Sequence, residues 1–220
     1  MAQLYWVRHG QASFGQSNYD QLSSLGYQQA TWLGEHFVEQ GVVFDHILSG
    51  SLQRQMQTAE NIMAAGNTAA RRHVNPDFNE YPLTELRQHY AKAFPELEHL
   101  TAPTEFITKL PLALKVWSSD SDPDLPESWS GFQQRLVNGL EDIQSTCTGN
   151  VLVVSSAGAI ATILSHIMGL SFDSLVHLNL NIKNTSVSQC YFDPQQCFAT
   201  QVNATPHLEQ PSRMTSRTFI

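Results

Sequence analysis

Two short motifs carry the residues best suited to chemistry, and the first lies close to the start of the chain. Arg8, His9 and Gly10 directly follow the apolar run from Leu4 to Val7, which is typical of a buried strand that ends in a loop. A histidine in that place can present one ring nitrogen to a ligand while the backbone holds the other, and a neutral imidazole can attack phosphorus. The adjacent arginine is suited to bidentate contact with phosphate, and Gly10 would let the backbone approach the bound group.

The second motif, Ser-Gly-Ser-Leu-Gln-Arg at residues 49–54, follows a predicted strand over 42–48. Arg54 falls in the first turn of a predicted helix, 53–65, where free backbone N–H groups and the helix dipole also favour an anion. Taken alone, such an arginine is more often a solvated surface cation. Its interpretation as a phosphate ligand therefore depends on the other motif.

Strands and helices alternate along most of the chain and must position these motifs. This order implies parallel strands, right-handed crossovers and helices on both sheet faces. We therefore expect a three-layer α/β/α sandwich with a mainly parallel central sheet. Because such sheets bind ligands at the carboxyl ends of their strands, the turns at 8–10 and 155–158 are expected at one edge. Strand-forming runs lie at 4–7, 42–48, 151–154 and 185–192, and helical periodicity at 22–40, 53–65, 128–144 and 159–168.

Length and composition fit a single domain over residues 1–220, since 220 residues with 41% hydrophobic side chains suffice for one core. The segment 87–126 breaks the strand–helix rhythm, because a helix predicted at 87–94 is followed by several prolines and an acidic loop. It is predicted to form a helical and irregular cap over one end of the sheet. Residues 206–220 are polar with little periodicity and are predicted to form a partly mobile C-terminal tail.

Charge and composition exclude several classes of protein. The formal net charge of −8 is incompatible with the broad basic face that nucleic-acid binding requires. No apolar run is long enough to predict a membrane span. The N-terminus lacks the features of a signal peptide, and three cysteines without C-x-x-C spacing indicate reduced thiols, so we expect a cytoplasmic protein. The sequence leaves the oligomeric state open.

Further motifs accompany the two described above. Leu25-Gly26 and Gln29-Ala30 lie between them, Gln57-Thr58-Ala59 follows the second, and Glu127-Ser128-Trp129, Arg135, the run 151–158 and Asn184-Thr185-Ser186 come later. In this order they resemble the motifs of the histidine phosphatase superfamily, the phosphoglycerate mutase-like enzymes of branch 1. The resemblance covers most of the chain and implies the α/β fold of that family.

The resemblance also implies a role for individual residues. His9 would be the nucleophile that becomes a phosphohistidine, and Arg8 and Arg54 would clamp the phosphate and neutralise its charge. Glu80, in the loop after the second helix, would protonate the leaving oxygen and later activate water. Glu85 is the fallback, and a surface carboxylate is the alternative for either. The implied reaction is hydrolysis of a small phosphorylated substrate with no cofactor and no metal ion, and none of the nine histidines forms an i, i+4 pair that would bind one.

Two departures from the family pattern bear on activity. Ser156 stands where the second catalytic histidine is expected, and its hydroxyl can still bind phosphate but cannot carry a positive charge. Losing one preorganised donor of this kind costs about 3–4 kcal/mol, or roughly 10²–10³ in rate. Gly15 stands where an asparagine is expected, so one phosphate donor is absent or displaced. We therefore expect phosphomonoester hydrolysis of modest rate.

Two other functions stay open on the sequence. The fold could serve as a catalytically impaired module that binds a phosphate ester or a phosphoprotein, although a pure binder needs no acid beside a nucleophilic histidine. The turn at Ser156 could be the nucleophile elbow of a serine hydrolase, with Asp173 or Asp193 and then His207, but Val154 stands where a glycine is expected. A mutase is disfavoured because the Phe-Thr-Gly-Trp segment of the mutases has no counterpart.

Overall fold

The computed structural model describes residues 2–13, 20–66, 70, 72–90 and 103–219, with the backbone alone for 103–107. Its strands are β1 (Ala2–Arg8), β2 (His46–Ser49), β3 (Arg72–Val74), β4 (Asn150–Ser155), β5 (Val187–Phe192) and β6 (Cys197–Ala204). Its α-helices are α1 (Ser24–Glu39), α2 (Gln53–Ala65), α3 (Leu83–Tyr90), α4 (Pro103–Ser119), α5 (Trp129–Thr146), α6 (Ala157–Met168) and α7 (Phe172–Asn181). Short 3₁₀ turns cover Pro76–Phe78, Pro206–Leu208 and Met214–Ser216.

The described strands form one six-stranded sheet in the order β3-β2-β4-β1-β5-β6. Strands β1 to β4 are parallel, whereas β5 runs antiparallel to β1 and β6 antiparallel to β5. Arg8 lies beside Ser155, and Ser49 lies beside Val154. The carboxyl ends of β1, β2 and β4 therefore meet at one edge of the sheet.

Helices cover both faces of this sheet, because successive strand side chains point to opposite sides. Tyr5 and Val7 belong to a buried cluster with Leu33 of α1 and Ile62 of α2. On the other face, Leu4 and Trp6 belong to a cluster with side chains of α3 to α7. The central strands are thus buried on both faces, and the predicted three-layer α/β/α sandwich with a mainly parallel sheet is confirmed.

The segment predicted as a cap contains more regular helix than its prolines suggested. The helix expected at 87–94 is observed as α3, which begins earlier, and residues 91–94 lie outside the described ones. Helix α4 continues through Pro111 although a proline removes one backbone hydrogen bond. Leu110, Leu114 and Trp117 on this helix are buried in the core, and this burial offsets the lost bond.

Residues 206–219, expected to be partly mobile, pack against the body of the protein. Leu208 is fully buried. Gln29 Nε2 donates to the carbonyl oxygen of Ser216 at 2.7 Å, and the backbone N–H of Asn184 donates to that of Thr218 at 2.9 Å. This tail is held mainly by hydrogen bonds to distant residues, which leave no periodic pattern in the sequence.

Besides helix α4, three elements were not predicted: β3, β6 and α7. Strand β3 has three residues, of which two are exposed, and β6 is an edge strand without regular apolar alternation. Helix α7 begins where the Ser171 side chain accepts from the backbone N–H of Ser174. Strand β3 is too short and β6 too irregular for hydrophobic periodicity to reveal them.

Candidate active site

His9 follows the end of β1 as a buried, neutral imidazole. Its Nδ1 lies 2.7 Å from the Gly10 carbonyl oxygen, and its Nε2 lies 3.2 Å from Arg54 Nε. Because Arg54 can only donate, Nε2 is the acceptor and Nδ1 carries the proton that it donates to Gly10. Burial and the positive charges of Arg54 and Arg8 hold the pKa of His9 well below its usual range. An unprotonated Nε2 is therefore presented on the arginine side of the site, as a nucleophile requires.

Arg54 links this histidine to a carboxylate that the sequence did not single out. Its Nη1 donates to Asp20 Oδ1 at 2.7 Å, in a pair whose side chains are 10% and 35% exposed. Asp20 Oδ2 also accepts from the backbone N–H of Gln53 at 2.9 Å, at the start of α2. Asp20 thus takes one donor from the arginine and one from the helix N-terminus, and it holds the guanidinium beside His9.

Arg8 ends β1 and is buried beside the histidine. Its Nη1 donates to the carbonyl oxygen of Ile182, and its own carbonyl accepts from the N–H of Thr185 at 3.0 Å. Thr185 has a φ of +54°, which is rare for a β-branched residue and places backbone strain at the site. Asn184 Nδ2 donates to the carbonyl oxygen of His9 at 3.1 Å. The segment 184–185 therefore fixes the backbone of both Arg8 and His9.

Glu80 follows the 3₁₀ turn at 76–78 and lines the same cavity. Its Oε2 accepts from the backbone N–H of Gly158 at 3.0 Å, at the start of α6. Burial raises the pKa of the Glu80 carboxyl, against the opposing effects of this N–H group and of the charges on the two arginines. A raised pKa favours the protonated acid at a higher pH than usual, which suits a proton donor.

Arg135 holds the loop that carries Glu80. Its Nη1 donates to the carbonyl oxygens of Asp77 and Asn79 at 2.6 and 2.8 Å, and its Nη2 donates to that of Glu80 at 3.3 Å. The same guanidinium forms a bidentate pair with the Glu127 carboxylate, at 2.6 and 3.1 Å. Arg135 is therefore a positioning residue, since it contacts the backbone of the acid and is itself held by a carboxylate.

The substitution Arg135→Met should lower kcat about 10- to 100-fold for an alkyl phosphate, because a small displacement of the acid weakens proton transfer. The loss should be smaller for 4-nitrophenyl phosphate, whose leaving group departs without a proton. The change also leaves Glu127 without its partner, so the free energy of unfolding should fall by about 2–3 kcal/mol. Steady-state kinetics with both esters and urea denaturation measure these effects.

Arg213→Met is the matched control for this substitution. Arg213 stacks over Trp32 at 4.7 Å, much as Arg135 stacks over Phe132 at 4.8 Å, but its guanidinium donates to the carbonyl oxygen of His207 and not to the loop that carries Glu80. We expect its kcat to stay within about twofold of the wild-type value, as for most surface changes. Equal losses in both variants, or an Arg135→Met loss independent of the leaving group, would contradict a positioning role.

Ser156, the predicted phosphate ligand, is fully buried and does not line the cavity. Its hydroxyl accepts from Gln55 Nε2 at 2.9 Å, and the same Nε2 donates to the carbonyl oxygen of Phe78 at 3.2 Å. The structure therefore brings the other four predicted side chains to one cavity but not this hydroxyl. The position of Ser156 does not support the predicted contact with phosphate.

The residues of the serine-hydrolase alternative also lie apart. The Ser156 hydroxyl contacts Gln55, whereas Nε2 of His207 lies 2.9 Å from the hydroxyl of Thr185. Burial, with nearby positive charges, lowers the pKa of His207 to about 3. A nucleophilic serine needs a base within hydrogen-bond reach, and His207 is not in that position.

Gly10 packs closely against helix α1. A Cβ at Gly10 would lie 2.5 Å from the carbonyl oxygen of Gly26, and a Cβ at Gly26 would lie 2.1 Å from that of Gln11. The two glycines therefore allow the loop after β1 to cross α1 closely. Gly15, the other departure noted in the sequence, lies outside the described residues.

A cavity of about 560 Å³ opens over the site. The acidic loop of the cap does not line it, since Asp120 accepts from the Tyr90 hydroxyl and Asp122 lies near His89. Glu85, the fallback acid, is exposed on α3 and does line it. The polar lining of the cavity includes Arg8, His9, Asp20, Arg54 and Glu80, and the apolar lining of the cavity includes Leu52, Pro82, Leu83, Leu180 and Phe219.

Three other features of the described residues concern predictions made from the sequence. Within these ranges, no group of three or more His, Cys, Asp or Glu side chains is arranged to hold a metal ion. None of the helices that the structure describes is long and apolar enough to cross a membrane. Cys147, Cys190 and Cys197 are free thiols.

A neutral histidine beside two arginines and a carboxyl, at the carboxyl ends of parallel strands, defines a site suited to phosphate chemistry. The family model of the histidine phosphatase superfamily (branch 1) matches residues 4–205. The chain belongs to this family, as its motifs indicated.

Relatives of the chain carry phosphatase names. A Hydrogenobacter thermophilus protein provisionally named phosphoserine phosphatase 2 is 24% identical in an alignment of 222 residues that covers 96% of this chain and 99% of that protein. The adenosylcobalamin/alpha-ribazole phosphatase of Escherichia coli K12 is 24% identical in an alignment of 195 residues that covers 81% of this chain and 85% of the relative. A solved structure of a mutant phosphoserine phosphatase from Entamoeba histolytica, in complex with phosphoserine, has a TM-score of 0.65 at 20% identity and covers 94% of this chain and 100% of its own.

Proposed function

We propose that the protein is a phosphomonoester hydrolase that works through a phosphohistidine at His9 and needs no metal ion. In the first step, Nε2 of His9 forms a bond to phosphorus as the ester P–O bond breaks, and Glu80 gives its proton to the leaving oxygen. Arg8 and Arg54 hold the phosphoryl oxygens and stabilise the charge of the transition state. Arg54 exchanges its hydrogen bond with Nε2 for one with the substrate.

In the second step, water hydrolyses the phosphohistidine. The Glu80 carboxylate takes a proton from water, the new O–P bond forms, and the P–Nε2 bond breaks to regenerate the neutral imidazole. The proton stays on Nδ1 in both steps, where it is donated to the Gly10 carbonyl oxygen, so the ring returns to the same tautomer. Glu80 thereby acts as acid in one step and as base in the other.

The observation that carries this proposal is the state of His9. Its unprotonated nitrogen is Nε2, which accepts from Arg54 Nε at 3.2 Å, and its pKa is lowered by burial and by the two arginines. A module that only binds phosphate would gain from a protonated histidine, because the added positive charge would attract the anion. A neutral histidine next to an acid of raised pKa serves nucleophilic attack and proton transfer instead.

Trapping of the intermediate tests the proposal. The purified protein is mixed with 4-nitrophenyl phosphate in the presence of EDTA, quenched in alkali, and digested for mass spectrometry. We expect turnover together with a peptide that contains residue 9, is heavier by one phosphoryl group and loses this group in acid. Absence of both turnover and adduct would favour the impaired binding module, and EDTA-sensitive turnover would contradict metal independence.

A further inference from the structure

We infer that the substrate carries its phosphate on an uncharged, apolar group and that the cavity discriminates against phosphate esters with a nearby carboxylate. This inference rests on the proposed function, since it assigns the leaving-group side of the same cavity. The relevant features are the side chains that line the cavity, their charges, and the hydrogen bonds that they form within the protein.

The size and lining of the cavity leave room for an apolar group beyond the phosphate. A volume of about 560 Å³ is well above what one phosphate needs and lies in the range of about 300–1,000 Å³ typical of small-molecule sites. Pro82 and Leu83 enter from the start of α3, Leu180 from α7, and Phe219 from the end of the chain. Apolar side chains from three separate segments therefore line the cavity, where burial of an aromatic or alkyl group is favourable.

The charges of the lining residues favour an uncharged leaving group. Among the described residues that line the cavity, the cations are Arg8 and Arg54, and both lie against His9 as ligands for the phosphate. The carboxylates are Asp20, Glu80 and Glu85. A second anionic group on the substrate would meet no further described cation, and it would approach the exposed Glu85. Desolvation without a partner and like-charge repulsion both oppose its binding.

The amides in the lining are already engaged in hydrogen bonds within the protein. Asn79 accepts from the backbone N–H of Ser51 at 2.7 Å and donates to the hydroxyl of the same serine at 2.8 Å. Asn179 donates to the Tyr81 hydroxyl at 3.3 Å. Lys183 does not line the cavity, and its ammonium lies 5.7 Å from the centre of the Phe219 ring. These described groups therefore add no cation that could neutralise a carboxylate on the substrate.

A pair of esters that differ only in one carboxylate tests this inference. Benzyl phosphate and 4-carboxybenzyl phosphate have similar leaving alcohols, so a difference in kcat/KM reports recognition rather than intrinsic reactivity. We expect benzyl phosphate to be favoured at least about 30-fold, since an unpaired buried charge is strongly rejected. Glu85→Lys, which replaces a carboxylate in the cavity lining with a cation, should narrow this ratio at least about fivefold.

Glu141→Lys is the matched control, because it changes the net charge equally on the exposed side of α5, away from the cavity. We expect it to leave the ratio unchanged. A ratio near one, a preference for the carboxylate ester, or equal narrowing by both variants would overturn the inference. The first two of these outcomes would leave the proposed hydrolysis intact.

Binding of non-hydrolysable analogues separates this inference from the proposed function. Calorimetry with benzylphosphonate and 4-carboxybenzylphosphonate measures recognition even if no ester is turned over. Tighter binding of benzylphosphonate than of 4-carboxybenzylphosphonate, without turnover of either ester, would support the inference and overturn the proposed hydrolysis. Failure of both phosphonates to bind, or equal binding of the two, would overturn the inference.

Discussion

His9→Ala should lower kcat for every phosphomonoester by at least about 10⁴-fold, because it removes the atom that forms the bond to phosphorus. Binding of inorganic phosphate should persist, since Arg8 and Arg54 keep their anchors on Ile182 and Asp20. Steady-state kinetics with 4-nitrophenyl phosphate and calorimetry with inorganic phosphate measure the two quantities. Together they separate loss of the nucleophile from loss of the anion site.

His73→Ala is the control for this substitution, because His73 is exposed on the edge strand β3 and does not line the cavity. Its kcat should match that of the wild type. Retention of more than about a tenth of the activity in His9→Ala would rule out His9 as the nucleophile. If circular dichroism shows that His9→Ala is unfolded, the measurement is repeated with His9→Gln, which keeps a polar side chain of similar size.

The lowered pKa of His9 sets the acid limb of the pH profile. Protonated imidazole cannot attack, so kcat/KM falls only when the pH drops through the pKa of this histidine in the free enzyme. Because burial and the arginines lower that pKa, the His9 limb should lie well below about 6.5, the ordinary value for histidine. An acid limb centred near or above the ordinary histidine pKa would contradict the argument that burial and the two arginines lower the pKa of His9.

The sequence predicted the elements whose periodic pattern is long and whose burial is complete. Helix α2 was predicted with its observed bounds, and the fully buried core of β4, Val151–Val154, was recognised from its apolar, β-branched side chains. Helix α4 was missed because Pro111 and Pro103 outweighed the helical spacing of Leu110, Leu114 and Trp117. Its stability comes from tertiary packing, which intrinsic propensity does not report.

The candidate site was predictable to the extent that its residues follow strands of the parallel sheet. His9 and Arg54 are brought together because β1 and β2 both end at the edge where β4 ends. Asp20 and Phe219 had no such signal, because they reach the cavity from segments without periodic pattern. Ser156 does follow a strand, but its orientation is set by a contact with Gln55, a residue from another helix. Side-chain direction at a helix start is thus decided by packing between elements rather than by position along the chain.

Glu80→Gln should lower kcat for benzyl phosphate by about 10²–10⁴-fold, the usual contribution of a general acid. The amide keeps an oxygen that can accept from the Gly158 N–H, so the loop and the start of α6 should stay in place. With 4-nitrophenyl phosphate the first step needs no proton, so loss of the base should instead slow the second step. We expect a burst of 4-nitrophenol equal to the enzyme concentration, followed by slow turnover.

The pH profile of the same variant distinguishes an acid from a merely structural carboxylate. Glu80 must be protonated in the first step, so kcat/KM for benzyl phosphate should fall as the pH rises above its pKa, which burial raises. Glutamine does not titrate, so this alkaline limb should be absent from Glu80→Gln, while any limb due to the substrate phosphate remains. Glu85→Gln changes the same carboxyl chemistry on α3. If Glu85→Gln, and not Glu80→Gln, abolishes the alkaline limb and produces the burst of 4-nitrophenol, the acid is Glu85. Only replacement of the group that transfers the proton can change both the pH profile and the burst.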